Sequence, residues 1–133
     1  HLVIVAAQFG LSTPSVFKQL DAGRASGLYP ASGELVEPAE LLSALSSYDG
    51  SEVALDSLAP LLRNDLQAPA LSCAPQLEQT LNLRDSEGVY ASLVSGSGPT
   101  VLLLASSQAR AEALATSLRV AGHHAVATEV TSA

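Results

Sequence analysis

Methionine is absent from the 133 residues, there is a single cysteine, and only six side chains are basic against thirteen that are acidic. Each shortage excludes something. Cys73 has no second cysteine for an internal disulfide, and no Cys/His cluster surrounds it, so neither a structural bridge nor a zinc site is available and a reducing cytoplasm fits best. The six Lys and Arg are scattered between Lys18 and Arg119 within a net charge of −7, which leaves no footprint for nucleic acid or an anionic membrane surface. The opening apolar run "LVIVAA" falls far short of the roughly 20 residues a bilayer span requires, and no basic segment precedes it as in a signal peptide. Missing methionine and a first residue placed directly on a strand-like run give the expectation that an upstream portion has been removed. With two Phe and three Tyr, the core falls to Leu, Val and Ala; 47% hydrophobic against 14% charged residues is the balance of one ordered domain.

What is present reads in order. Residues 2 to 7 are aliphatic and predict a buried strand. Thr13 as N-cap and Pro14 at the first helical position open a helix of about two turns, with Val16, Phe17 and Leu20 on one face, ending near Asp21. Residues 22 to 37 mix Gly, Ser and Pro without periodicity and predict a surface loop, the most mobile segment. From Pro38, Leu41, Leu42 and Leu45, and after Gly50, Val53, Leu55, Leu58, Leu61 and Leu62, recur at helical intervals, predicting two short helices. Pro69 and Pro75 punctuate the next segment, and a further helix from Pro75 turns Leu77 and Leu81 inward.

The last third holds strands at 89 to 94 and 100 to 105 joined by Ser-Gly-Ser-Gly-Pro, a helix capped by Ser106 or Ser107 with Ala111, Leu114, Ala115 and Leu118 on its apolar face, Gly122 as its stop, and a strand over 124 to 130. The order predicts an α+β fold: the ferredoxin-like split βαβ arrangement, a four-stranded antiparallel sheet with helices on one face and extra helices in the first crossover.

The residues that bear chemistry are few. Gly96 and Gly98 accept positive φ, so the backbone between Ser95 and Gly98 can turn successive N–H groups toward an anion; a hairpin needs glycine in any case, and spacing alone leaves both readings open. No Lys-Ser/Thr follows the glycines and no third glycine completes a dinucleotide fingerprint, which excludes both familiar phosphate loops. Ser12 and Thr13 stand at a helix start, where free N–H groups favour an anion, with Phe17 one turn on; an ordinary cap above a core phenylalanine is the alternative. Asn64-Asp65 lacks a second carboxylate for Mg²⁺ and suits capping of the next turn, and His123-His124 lack a third ligand and suit a surface turn. No acid–base pair is recognisable, so no catalytic residue and no metal ligand is assigned. The chain reads as half of a site.

At "GLSTPSVFKQLD", "LRNDLQAPA" and "VSGSGPTVLLL", and over nearly its whole length in motif order and spacing, the sequence resembles the C-terminal part of the 4-diphosphocytidyl-2-C-methyl-D-erythritol kinases of the GHMP kinase superfamily. The Gly-rich element looks like the superfamily's third motif. The Gly-Leu-Ser-Thr-Pro start and the Asn-Asp-Leu segment look like this branch and not like homoserine or mevalonate kinases. The resemblance implies a small-molecule kinase that uses ATP and Mg²⁺ to phosphorylate the 2-hydroxyl of its substrate in the non-mevalonate route to isoprenoids. It further implies an N-terminal domain, absent from residues 1–133, that carries the ATP-phosphate loop and the catalytic Asp and Lys. This chain alone is then expected to be inactive and to hold no cofactor. Carried over by position, Thr13 resembles the residue beside the methylerythritol phosphate and Phe17 part of a small apolar pocket, while Ser95, Gly96, Ser97 and Gly98 resemble the loop backing the ATP-phosphate motif. A free-standing ferredoxin-like domain that binds a small regulatory metabolite, or another GHMP kinase, is the alternative.

Overall fold

A computed structural model describes residues 1–30 and 38–130. Its elements are β1 (Leu2–Ala6), α1 (Thr13–Ala25), α2 (Pro38–Ser46), α3 (Glu52–Leu58) continued by a 3-10 turn at Ala59–Leu61, α4 (Gln67–Cys73), α5 (Leu77–Leu81) continued by a 3-10 turn at Asn82–Asp85, β2 (Val89–Val94), β3 (Val101–Ala105), α6 (Gln108–Val120) and β4 (His124–Thr128). The four strands form one antiparallel sheet in the order β2-β3-β1-β4, which is the split βαβ arrangement with α1 to α5 in the first crossover and α6 in the second.

Register explains the core. Val3 lies opposite Leu103 and Val5 opposite Val101, Leu103 lies opposite Ser92, and Val94 opposite Val101, so side chains two apart in sequence share one face. That face is buried, and α4, α5 and α6 cover it with Ala70, Leu77, Leu81, Ala111, Leu114, Ala115 and Leu118. Each fully buried aliphatic side chain contributes roughly 1.5–3 kcal/mol. Ser92 is the exception among apolar neighbours: it is 9% exposed, and its hydroxyl donates to the Leu81 carbonyl at 2.6 Å, so the polar atom enters the core already paired.

Several boundaries differ from the sequence reading. The cap of α1 is Ser12, not Thr13: Ser12 has extended φ and ψ of −76° and 112°, and its hydroxyl accepts from the Ser15 N–H at 3.4 Å. The helix also runs on to Ala25, so residues 22 to 25 of the expected loop are helical. Gly23 lies inside the helix with the Tyr29 ring folded back over it, and a Cβ there would clash with Tyr29 Cδ2. Tyr29 is held in that position by a 2.9 Å hydroxyl contact with Ser72, and Arg24 Nε donates to the Pro30 carbonyl at 3.1 Å. The remainder of the expected loop, 31–37, lies outside the described residues.

Helix α4 was hidden from the sequence by its own Pro69. The proline occupies the third helical position, inside the first turn where an N–H has no intrahelical acceptor, so it costs no hydrogen bond and its ring is buried. The cap of α6 is Ser107, whose hydroxyl accepts from the Arg110 N–H at 3.1 Å, and Gly122 beyond it takes φ of 91° as expected of the stop. No helix among the described residues is long and apolar enough to cross a membrane.

Candidate functional site

The turn between β2 and β3 is tight and internally bonded at its base. Ser95 N donates to the Thr100 carbonyl at 2.8 Å, and Gly98 N donates to the Ser95 carbonyl at 2.9 Å. Gly96 and Gly98 take φ of 56° and 80°, with Ser97 between them at negative φ, and the Gly98-Pro99 peptide is cis. Alternating signs of φ form a concave backbone in which amide groups converge. Among the described residues the Gly96 and Ser97 N–H groups have no protein acceptor.

The two glycines serve different ends. Around Gly96 a Cβ would meet nothing within 4 Å, so its role is conformational. At Gly98 a Cβ would stand 3.0 Å from Val94 Cγ1 and 3.4 Å from Leu11 Cδ2, so this residue also lets the turn close onto the chain leading into α1.

Those two motifs, far apart in sequence, meet here. Thr13 Oγ1 lies 2.7 Å from Ser97 Oγ, across a separation of 84 residues. Thr13 is the first residue of α1 and exposed, so the positive end of the helix and the Gly-rich turn share one surface. The hydroxyl of Thr13 therefore faces the turn while Ser12 does the capping. Phe17, one turn along, is 48% exposed and lies outside the core, which replaces the alternative of a core phenylalanine with an accessible ring beside Thr13.

A third element completes the cluster, and sequence reading did not place it there. Asn64 Oδ1 accepts from the Leu66 N–H at 3.0 Å, the local capping expected of it. Its Nδ2 group, however, donates to both the Val94 and the Gly96 carbonyls at 2.7 Å. Gln67 Oε1 accepts from the Val94 N–H at 3.0 Å. Strand β2 is an edge strand, so the outward groups of Val94 have no neighbouring strand, and the two carboxamides stand in for one. No local pattern signals contacts that reach across 30 residues. Asp65 points elsewhere, its Oδ2 3.6 Å from Arg24 Nη2.

Thr13, Asn64, Ser95, Gly96, Ser97 and Gly98 include no carboxylate, imidazole or amine. The Gly96 and Ser97 N–H groups, with the Thr13 and Ser97 hydroxyls, suit an anionic oxygen, Asn64 having both its protons on backbone carbonyls, and the cluster lacks the carboxylates that hold Mg²⁺. Such a cluster can position and stabilise charge but has no group to move a proton. His123 is exposed just after the turn that ends α6, His124 is exposed as the first residue of β4 opposite Ala6 and so does not lie in the turn expected of it, and Cys73 is exposed at the end of α4.

Residues 41–124 match the family model of the GHMP kinases C terminal. A 4-diphosphocytidyl-2-C-methyl-D-erythritol kinase of Pseudarthrobacter chlorophenolicus is 45% identical over 128 residues, 96% of this chain and 38% of that protein. The enzyme of the same name from Arthrobacter sp. is 47% identical over 123 residues, 92% of this chain and 36% of that one. A crystal structure of 4-(cytidine 5'-diphospho)-2C-methyl-D-erythritol kinase superposes with a TM-score of 0.68 at 24% identity, over 94% of this chain and 40% of that one, a likeness of fold. The chain thus spans well under half the length of the relatives it matches.

Proposed function

The chain belongs to the GHMP kinase C-terminal family, and on that premise we propose that it forms the C-terminal part of an ATP-dependent kinase that phosphorylates the 2-hydroxyl of 4-diphosphocytidyl-2-C-methyl-D-erythritol. The shared name of relatives 42–47% identical supports the substrate over those of other GHMP kinases and over a free-standing metabolite sensor. The observation that carries the reading is the 2.7 Å approach of Thr13 to Ser97, which unites the helix start and the Gly-rich turn into one donor-rich surface.

In this reading residues 1–133 are one domain, and the remaining length of the relatives corresponds to an N-terminal domain that binds ATP and carries the catalytic groups. ATP supplies the transferred phosphoryl group and Mg²⁺ neutralises its charge, both on that partner domain. Here Gly96 and Ser97 present their N–H groups to phosphate oxygens, with Ser95 and Gly98 framing them. Thr13 faces the substrate's phosphate side and the Phe17 ring packs against its apolar carbons. Phosphoryl transfer depends mainly on positioning and charge stabilisation, which backbone donors fixed in place provide without reorganisation. The compartment in this reading is the cytoplasm.

The test is ADP release by the full-length protein with ATP, Mg²⁺ and 4-diphosphocytidyl-2-C-methyl-D-erythritol. Turnover is expected with this substrate, little with homoserine or mevalonate, and none from residues 1–133 alone. Turnover by the chain alone would overturn the division of labour, and a preference for homoserine or mevalonate would overturn the substrate.

A further inference from the structure

We infer that Asn64 is a positioning residue that sets the aim of the Gly-rich turn. This role rests on the proposed function, in which the turn faces phosphate, and it adds a residue that touches no substrate. Its basis is the rigidity of the peptide plane. A trans peptide holds its C=O and N–H pointing in opposite directions, so fixing one fixes the other. Asn64 Nδ2 grips the Gly96 carbonyl at 2.7 Å, and the N–H in that same plane belongs to Ser97, one of the two amides left without a protein acceptor. Drawing the carbonyl toward Asn64 therefore drives the Ser97 N–H to the far side.

The second proton of the same amide holds the Val94 carbonyl, whose plane carries the Ser95 N–H that closes the turn onto Thr100. One carboxamide thus orients the plane at the base of the turn and the plane at its tip. Its own orientation is fixed in turn: Oδ1 is bound by the Leu66 N–H, and Gln67 holds the neighbouring Val94 N–H, so the Asn64 side chain has no equivalent flipped pose. The chemistry needs an amide here. Asp keeps the Oδ1 acceptor for Leu66 but replaces both donated protons with negative charge facing two carbonyls. Ser retains a single donor on a shorter arm.

The experiment compares Asn64→Asp and Asn64→Ser with Gly96→Ala in the full-length kinase, reading kcat and KM for ATP and for the alcohol substrate per folded molecule, with the folded fraction measured by circular dichroism. For Asn64→Asp we expect kcat/KM for ATP to fall about 10- to 100-fold, with KM for the alcohol within about twofold, because a misaimed donor costs rates of that order. Asn64→Ser should fall between it and the parent, which keeps the test valid if the Asp variant folds poorly. Activity that falls only in proportion to the folded fraction, or an Asn64→Ser enzyme with parent kinetics, would overturn the inference. If Gly96→Ala lowers kcat/KM for ATP while both Asn64 variants match the parent, the phosphate-facing turn stands and only the role of Asn64 fails. If all three match the parent, the phosphate-facing reading of the turn fails with it.

Discussion

Two regions of this molecule use similar raw material to opposite effect. Around the Gly-rich turn, α1, α4 and α5 bring Leu77, Ala70 and Val16 into the core, and Thr13, Asn64 and Gln67 knit the turn to the helices. In the α2–α3 excursion the leucines are as regularly spaced, and α3 buries Leu55 and Leu58, yet α2 buries none of its residues, and Leu42, Leu45 and Val53 are 60%, 49% and 75% exposed. Helical spacing decides that a segment coils; a partner surface decides whether its apolar face is buried. The corner around the turn has such a surface in the sheet, whereas α2 meets α3 and little else among the described residues.

The widest gap is expected in packing. Leu77→Ala, at a position 2% exposed, should cost about 2–5 kcal/mol, while Leu42→Ala should stay within about 0.5 kcal/mol, both read by denaturant unfolding. Equal losses would erase the contrast between the regions. Within the corner, Gly96→Ala should cost about 1–2 kcal/mol for a side chain in left-handed backbone, and Gly98→Ala more, since its Cβ also meets Val94 and Leu11. The same unfolding curves check the order.

In the excursion the supports are local. Ser51 caps α3, its hydroxyl accepting from the Ala54 N–H at 3.2 Å, and Ser51→Ala should cost about 1 kcal/mol while leaving the turnover proposed for the full-length protein unchanged per folded molecule. A loss of turnover there would tie α3 to the site. The smallest effect concerns Asp49, whose pKa is held below its ordinary 3.8 by hydrogen bonds from Ser51, through the hydroxyl first and the amide second. A carboxylate with a lowered folded pKa contributes stability that is present above 3.8 and lost as pH falls through the folded value. Asp49→Asn should therefore flatten the decline of melting temperature below that pH, a difference that thermal scans across acid buffers resolve.

Legibility in the sequence followed range. Strands β1 to β4, the hairpin and α6 announce themselves through short aliphatic runs, helical spacing, the Ser106-Ser107 pair and Gly122, all signals carried within a few residues. Helix α4 did not, since Pro69 reads as a breaker unless its place in the first turn is known. Of the site, the Gly-rich turn and Thr13 were legible as motifs, but their meeting was not, because nothing local to Thr13 marks Ser97. Asn64 was legible only as a cap: the Leu66 contact lies two residues away, the Gly96 contact 32. Gln67 gave no signal at all, being an ordinary polar residue at a helix start.

That span in sequence has a consequence for the order in which the chain folds. A hairpin of β2 and β3 needs to close only a loop of a few residues, whereas the grip on its tip needs segments 30, 32 and 84 positions upstream to dock, at a greater cost in loop closure. Until α1 and α4 are in place, the turn is a hairpin without a fixed aim. On the proposed reading, a capacity to meet an anion comes only with that docking, and its appearance during refolding would report the finished fold, distinct from any signal of strand formation.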